Sequence, residues 1–190
     1  MTVMVEHEGS SYTVEDLEGM PDDGRRYELV DGHLLVSPAP GYRHQKIVLK
    51  LGALLDASCP EDLAVLPAPF AVQPSGKTEL QPDLLVGRHA DFTEKLLPVA
   101  PLLAVEVLSP STGIRDLTIK KNAYERMGVI SYWVIDPQEP VLAAFELDPE
   151  GCYRQVAEVQ GEKPFDATLP FPVRVVPAEL LGTLWDGESE

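Results

Sequence analysis

A single glutamate interrupts an otherwise apolar stretch of the sequence, Leu102–Leu108. An ionised carboxylate inside such a stretch costs several kcal/mol unless a cation, hydrogen bonds or a metal ion satisfy it. With the two-residue period of a strand, Glu106 shares one face with Leu102, Ala104 and Leu108. Glu106 is therefore the first candidate for chemistry, although a salt bridge or a solvated strand end would also explain it.

Two further charged residues could act together with Glu106. Asp83 follows Pro82 at the start of a short apolar segment, where a turn residue that caps a backbone N–H is the simpler interpretation. Lys120 lies on a predicted helix, four residues after Asp116 and four before Tyr124, so these three side chains share one helix face. An isolated Asp–Lys helix pair would explain this spacing as well.

Two carboxylates and a lysine together suit the hydrolysis of a phosphodiester bond. Mg²⁺ prefers carboxylate, water and phosphate oxygens, so Asp83 and Glu106 could bind it. A bound metal ion polarises the phosphoryl group and lowers the pKa of its water. Lys120 could orient or deprotonate the attacking water, or neutralise charge on the phosphorane.

Hydrophobic periodicity and turn residues indicate which elements must position these groups. The sequence predicts a short helix over 12–20 with Thr13 as N-cap, strands over 26–37 around an Asp31-Gly32 turn, an amphipathic helix from His44 to about Asp56, a strand over 65–72 broken by Pro67 and Pro69, a polar turn over 73–79, a strand over 82–87, a buried strand over 102–108, a loop over 109–113, a helix over 114–127 closed by Gly128, a strand over 131–136, an antiparallel pair over 141–147 and 153–159, and an edge strand over 171–176.

A strand, a helix and a second strand within about 35 residues form a βαβ unit, which makes the two strands parallel. The fold class is therefore α/β or α+β: a mixed central sheet flanked by helices, with a β-rich C-terminal flank. The length of 190 residues predicts one domain. We divide it into a helix and hairpin over 12–37, a core over 38–137, C-terminal strands over 138–184 and a frayed tail over 185–190.

The charge of the chain is concentrated at its ends. The formal net charge is −16, of which residues 1–31 carry −7 and residues 136–190 carry −9, whereas residues 32–135 are neutral. Acidic ends keep a protein in solution, and mimicry of a nucleic acid is the alternative interpretation. The neutral centre remains compatible with a phosphate-bearing substrate, since charges farther away than about 10 Å are screened.

Composition excludes several classes of protein. With 44% apolar and 24% charged residues, the chain is not collagen, coiled coil or wholly disordered. No stretch approaches the roughly 20 apolar residues of a membrane span, and the first residues do not predict a signal peptide. The two cysteines, Cys59 and Cys152, form neither a disulfide framework nor a zinc motif, which predicts a cytoplasmic protein.

An ordered series of short motifs resembles a known family. The motifs are Tyr27-Glu-Leu-Val-Asp-Gly32, Ser37-Pro38, His44-Gln45, Pro82-Asp83, Val105-Glu-Val-Leu-Ser-Pro-Ser-Thr112, Asp116 with Lys120 and Tyr124, Gly128-Val129, and Tyr132-Trp-Val-Ile-Asp-Pro137. From about Tyr12 to Leu184 the chain is similar to the Uma-two family, bacterial restriction-endonuclease-like proteins of the PD-(D/E)xK nuclease superfamily.

This resemblance implies a restriction endonuclease-like core, a divalent metal (Mg²⁺ or Mn²⁺), DNA as the substrate and a homodimer. By motif, Asp83 and Glu106 would be metal ligands, Glu28 an additional acid at the site and Lys120 the catalytic lysine. The superfamily pattern places the lysine two residues after the second acid, where this chain has Leu108. In this family the lysine has moved to the helix, a position that Lys120 fits.

Other residues are weaker candidates. Contacts with the substrate are expected from His44, Arg43, Lys46, Lys50, Arg115 and Tyr124. His44 could instead be a helix-start histidine, and Glu28 an exposed strand residue. For Tyr132-Trp133, core packing is favoured over base stacking. Besides a Mg²⁺-dependent DNA endonuclease with one or two metals, two functions stay open: an inactive interaction protein with the nuclease fold, and a metal-dependent hydrolase of RNA or another phosphodiester.

Overall fold

The computed structural model describes residues 3–5, 11–108 and 114–184, and the side chains of 11–108 and 117–184. The helices are α1 (Val14–Glu18), α2 (Tyr42–Ser58), α3 (Ile114–Met127) and α4 (Pro177–Leu181). The strands are β1 (Val3–Val5), β2 (Arg26–Val30), β3 (His33–Ser37), β4 (Leu63–Pro67), β5 (Ala71–Ser75), β6 (Thr78–Leu80), β7 (Leu84–Arg88), β8 (Leu96–Leu97), β9 (Leu103–Val107), β10 (Ser131–Asp136), β11 (Val141–Leu147), β12 (Tyr153–Gln160), β13 (Phe165–Ala167) and β14 (Val173–Val175).

A mixed six-stranded sheet forms the centre of the fold, in the order β12-β11-β10-β9-β7-β4. Strands β9 and β10 are parallel and are joined through α3, which confirms the predicted βαβ unit. The remaining neighbours in this sheet are antiparallel. Strand β9 is buried along its whole length, as expected for a strand covered on both faces.

A second six-stranded sheet, in the order β1-β3-β2-β6-β5-β8, contains the predicted hairpin of β2 and β3. Its turn needs positive φ at both central residues, and Asp31 and Gly32 have φ of 50° and 82°. A Cβ at Gly32 would also lie 2.5 Å from the Cβ of Ser11. Glycine is therefore required at this position.

Helix α2 covers one face of the central sheet through the spacing expected of an amphipathic helix. Ile47, Leu51 and Leu55 are buried on it and pack with Val105 and Val107 of β9. The ribbon of β13 and β14 and helix α4 complete this apolar cluster. No helix among the described residues is long and apolar enough to cross a membrane.

Helix α3 covers the opposite face of the sheet. Ala123 and Tyr124 of α3 pack with Ala104 of β9 and Tyr132 of β10, and side chains of the second sheet join them. Both Tyr132 and Trp133 are fully buried, which confirms core packing for this pair. As predicted, alternate residues of β9 face the two sides, so Glu106 and Ala104 lie opposite Val105 and Val107.

Three details differ from the sequence predictions. The strand expected over 65–72 is two strands in different sheets, because Pro67 and Pro69 have no N–H with which to continue one ladder. The polar segment 73–79 pairs in β5 and β6 instead of forming one long turn. The strand expected over 171–176 is shorter and lies in a separate two-stranded ribbon, not at the edge of a large sheet.

Other predictions lie outside the described residues. They are the loop over 109–113, the tail over 185–190, and the side chains of Arg115 and Asp116. The short strands β1, β8 and β13 and helix α4 were not predicted. Each has five or fewer residues, too few for a periodic pattern to be recognised.

Candidate active site

Asp83 is held by groups from three separate elements. It immediately precedes β7 and is 2% exposed. Its Oδ2 accepts a hydrogen bond from the backbone N–H of Val107 on β9 at 2.8 Å and lies 2.9 Å from Nε2 of His44. Its Oδ1 accepts a hydrogen bond from Nη1 of Arg26 at 3.0 Å. These contacts fix the carboxylate at the ends of neighbouring strands.

Glu106 is paired with the helix that follows it. Nζ of Lys120 lies 3.1 Å from both carboxylate oxygens, and the hydroxyl of Tyr124 donates to Oε1 at 2.8 Å. Lys120 and Tyr124 are one helical turn apart, so the predicted shared face of α3 is confirmed for these two residues. All three side chains are buried, and Lys120 points toward the sheet.

Glu28 brings a third carboxylate to the same place. It lies on β2 and is fully buried, which contradicts the interpretation as an exposed strand residue. Its Oε1 accepts from the backbone N–H of Gln81 at 2.8 Å, and its Oε2 lies 2.8 Å from Nζ of Lys120. Lys120 therefore bridges Glu28 of the second sheet and Glu106 of the central sheet.

Asp83 and Glu106 differ in their electrostatics. Burial opposes ionisation of Asp83, but the hydrogen bond from His44 and the charges of Arg26 and Lys120 outweigh it and lower its pKa to about 2. Burial raises the pKa of Glu106 to about 7; Lys120 opposes this rise, whereas Asp83 and Glu28 add to it. Desolvation is thus the main reason why the ionised form of Glu106 is disfavoured.

Lys120 stays protonated despite its burial. Burial alone would lower its pKa, but the carboxylates of Glu106, Glu28 and Asp83 raise it above the ordinary value for lysine. A protonated ammonium group can donate hydrogen bonds and neutralise developing charge, but it cannot accept a proton. Among the roles that the sequence left open for this lysine, the structure therefore favours orientation of water or charge neutralisation over deprotonation.

These groups line a small cavity of about 40 Å³, which we call the catalytic cavity. Arg26, Glu28, His44, Asp83, Glu106 and Lys120 contribute side chains to it. A groove of about 560 Å³ lies against α2 and shares Arg26, His44 and Asp83 with the cavity. We call it the α2 groove. A cleft of about 540 Å³ beside α1 shares only Arg26 with the cavity.

Only some of the residues expected to contact the substrate lie at the catalytic cavity. His44 reaches the cavity from the first turn of α2, and Tyr124 is buried behind Glu106. Arg43 is exposed and Lys46 half-buried on α2, but neither lines the catalytic cavity. Nζ of Lys50 donates to the backbone carbonyl of Glu179 at 2.6 Å.

Sequence reasoning missed Arg26. It lies two residues before Glu28 on β2, so both side chains are on the same strand face. Placing Glu28 at the site therefore implied that Arg26 would be there as well. The strand period was the signal that could have identified it.

The donor set fits a divalent cation of the Mg²⁺ type. Asp83 and Glu106 offer carboxylate oxygens to one cavity, and three carboxylates face two permanent cations, Arg26 and Lys120. Within residues 3–5, 11–108 and 114–184, no three His, Cys, Asp or Glu side chains are grouped so that they could hold a metal ion by themselves. Mg²⁺ does not need such a cage, since one or two carboxylates, water and substrate phosphates commonly complete its coordination.

Comparison with known proteins identifies the family and the fold of this chain. The model of the Uma2 family, described as "Putative restriction endonuclease", matches residues 14–179. The chain belongs to this family. No curated protein matches it. A crystal structure described as a "putative nuclease belonging to DUF820" from Anabaena variabilis ATCC 29413 is similar in fold, with a TM-score of 0.71 and 19% identity over 92% of this chain and 99% of that one.

The membership confirms the predicted family and the restriction endonuclease-like fold. This Uma2 protein has Leu108, half-buried, at the position where the superfamily pattern has a lysine. Lys120 reaches Glu106 from α3 instead. The ammonium group beside Glu106 thus comes from a helix that packs on the strand, and not from the strand itself.

Proposed function

We propose that this protein is a divalent-metal-dependent endonuclease that hydrolyses DNA phosphodiester bonds. The proposal rests on one observation: Asp83 and Glu106, which come from neighbouring strands, line a single cavity with the ammonium group of Lys120. This is the combination of oxygen ligands and fixed positive charge that phosphoryl transfer uses. Asp83 and Glu106 would hold the cation, Mg²⁺ or Mn²⁺.

The protein's own residues would then divide the remaining tasks. When bound, the metal supplies an activated water and polarises the phosphoryl group. Lys120, kept protonated, neutralises charge that develops on the phosphate oxygens. Glu28 accepts from the backbone of Gln81 and holds Lys120, so we assign it to positioning the lysine. Tyr124 fixes the orientation of Glu106 through its hydroxyl.

The substrate would approach along the α2 groove. The catalytic cavity is too small for a nucleotide, whereas the groove is more than ten times larger and opens onto Asp83 and His44. Replacing the exposed, groove-lining Ala53 by phenylalanine should raise KM for DNA with little effect on stability. Ala57 is exposed on the same helix outside the groove lining, so Ala57→Phe is the matched control.

The main test is cleavage of plasmid and single-stranded DNA in Mg²⁺ or Mn²⁺. Asp83→Asn, Glu106→Gln and Lys120→Met should each reduce cleavage by at least about a hundredfold, as loss of a charge-stabilising group does. Lys121→Met is the control, because Lys121 follows on the same helix but lies over the ring of Phe145. Cleavage that all three site substitutions leave intact would exclude this mechanism.

A non-catalytic interaction protein is the second candidate. It is favoured by the fact that Arg26, His44 and Lys120 already satisfy Asp83 and Glu106 without any added ligand. It predicts that Mn²⁺ does not raise the melting temperature and that DNA is not cleaved. An RNA substrate of equal sequence, added as a competitor, distinguishes a DNA nuclease from a hydrolase of RNA.

We further propose that the protein forms a homodimer and acts in the cytoplasm. The family resemblance supports the dimer, and multi-angle light scattering tests it.

Cys59 and Cys152 are free thiols, which is compatible with a reducing compartment. Fractionation of cells that express the tagged protein tests the location.

A further inference from the structure

Arg26 occupies a position that no other side chain shares among the described residues. It lines the catalytic cavity, the α2 groove and the cleft beside α1. Its Nη1 donates to Oδ1 of Asp83 at 3.0 Å and to the backbone carbonyl of Gln81 at 3.1 Å. The guanidinium group is therefore both the countercharge of Asp83 and part of the wall of the two larger spaces.

A divalent cation at Asp83 would find this countercharge already in place. Two cations drawn to one carboxylate repel each other strongly when both are partly desolvated, because the effective dielectric constant there is far below that of water. A metal ion bound through Asp83 must therefore overcome the pairing with Arg26. The affinity of Asp83 for the metal ion is therefore reduced by the free energy that the ion pair with Arg26 contributes in the metal-free protein.

Of the two cations at the site, Arg26 is the one that can leave. The side chain of Lys120 is 8% exposed and is held by both Glu28 and Glu106. The side chain of Arg26 is 20% exposed and has one carboxylate within ion-pair distance. The α2 groove and the cleft beside α1 adjoin it, so the guanidinium group has space to move toward the surface. Arginine is also well suited to a phosphate, which it can bind with two parallel hydrogen bonds.

We propose that Arg26 competes with the divalent cation for Asp83 and, once displaced, contacts a phosphate of the substrate. This inference rests on the proposed function. In the metal-free protein the arginine keeps the buried carboxylate paired. In the loaded protein the same side chain adds positive charge beside the α2 groove. Arg26 thus weakens the binding of the metal ion and strengthens the binding of the substrate.

Calorimetric titration with Mn²⁺ in the absence of DNA tests the first half. Arg26→Gln removes the charge but keeps a hydrogen-bond donor, and it should bind Mn²⁺ roughly tenfold more tightly than wild type. Arg26→Lys keeps the charge and should bind with nearly the wild-type affinity. Arg25→Gln is the matched control: Arg25 is exposed and pairs with Asp23, so it reports any effect of net charge alone.

Fluorescence anisotropy with a short labelled single-stranded DNA tests the second half. The measurement uses Ca²⁺, which also prefers oxygen ligands, and intact DNA is verified on a gel. Arg26→Gln should weaken DNA binding roughly tenfold, as expected when one charged hydrogen-bonded contact is lost. Arg25→Gln should change it less. The predicted signature is an increase in metal affinity together with a decrease in DNA affinity.

The outcomes separate this inference from the function on which it rests. If wild type binds no Mn²⁺, both are wrong. If wild type binds Mn²⁺ but Arg26→Gln binds it equally or more weakly, the competition is refuted and the metal site stands. Tighter Mn²⁺ binding with unchanged DNA affinity would refute the phosphate contact. Should Arg26→Gln fold poorly, Arg26→Met, which also removes the charge but keeps an apolar stem, replaces it with the same expected increase in Mn²⁺ affinity and the same outcome that refutes the competition.

Discussion

Neighbouring residues of strand β9 have different surroundings on the two faces of the central sheet. On β9, Val105 and Val107 pack into the apolar cluster beneath α2. Glu106, between them, meets Lys120 and Tyr124 of α3. Both faces are buried, so burial alone does not distinguish them. They differ in what replaces the contacts with water: packed carbon atoms around Val105 and Val107, but ion pairs and hydrogen bonds around Glu106.

This difference determines how each face responds to substitution. In an apolar core the free energy of unfolding falls with the volume removed. At the charged face it falls when one partner of a buried pair is lost, because the remaining charge is left desolvated. The charged face also offers carboxylate oxygens, which a cation could bind, whereas the apolar face around Val105 and Val107 offers none. Function is therefore expected to reside on the charged face.

Lys120→Met is expected to have the largest effect. It leaves Glu28 and Glu106 buried without their shared cation, and breaking a buried ion pair costs about 3–5 kcal/mol. Urea denaturation at neutral pH measures this loss. Adding Glu106→Gln to Lys120→Met should recover part of it, because glutamine neither carries a charge into the site nor has to take up a proton on folding, as Glu106 would without Lys120. A double variant no more stable than the single one would show that the loss comes from packing.

Leu51→Ala is the corresponding change on the apolar face. Leu51 is fully buried on α2, and its truncation should cost about 2–5 kcal/mol through lost contacts and the cavity left behind. Since no charge is uncovered, the loss should not vary with pH, and Mn²⁺ affinity below the melting temperature should match wild type. A changed Mn²⁺ affinity would mean that the two faces are coupled.

The pH dependence of stability should come from the charged face. The pKa of Glu106 is raised from 4.5 to about 7, so between these values the folded protein holds a proton that the unfolded chain has released. In EDTA, the free energy of unfolding should therefore fall as pH rises through this window. Glu106→Gln should remove this part of the slope, which urea denaturation on either side of the window measures.

Ionisation of Asp83 gives a pH dependence of stability with the opposite sign. Its pKa is lowered from 3.8 to about 2, so its stabilisation is present above the unfolded value and is lost as pH falls through this range. Asp83→Asn should flatten the acid limb of the stability curve. If both substitutions leave the whole profile unchanged, the ionisations at this face are not linked to folding.

The smallest effect is expected at a pair outside both faces. Arg174 and Asp166 form an ion pair on the ribbon of β13 and β14 with both side chains well exposed. Exposed pairs contribute little because water and salt screen them. Asp166→Asn should leave the melting temperature and Mn²⁺ affinity unchanged, as calorimetry can verify. A clear loss of stability would show that the ribbon depends on this pair.

Predictions from local sequence succeeded for elements whose conformation depends on a few consecutive residues. The Asp31-Gly32 hairpin and helix α3 with its terminal Gly128 follow from turn and helix chemistry within a few residues. The segment from Leu63 to Leu80 was predicted poorly, because its strands pair with distant partners in two different sheets. Pairing over long sequence separation overrides local propensity there.

The candidate site was predicted in part for the same reason. Glu106 stood out because a charge in an apolar strand needs an explanation, and Lys120 because helix spacing relates it to Tyr124. Asp83 is ordinary in its local context and became a candidate only together with Glu106 and Lys120, whereas Glu28 entered through the family resemblance. The strand period could have added Arg26 once Glu28 was placed, but the backbone N–H groups of Gln81 and Val107, which complete the pairing of the carboxylates, have no local signature.

The sequence by itself determined that a carboxylate would be buried in a central strand and that a lysine would follow on an adjacent helix, since strand and helix periods are properties of a few consecutive residues. Only the tertiary structure decided that Glu28 and Arg26 of the second sheet meet them, and that Lys120 lies between two acids. Distances between elements far apart in the chain depend on how whole sheets pack, and packing is a property of all their side chains together.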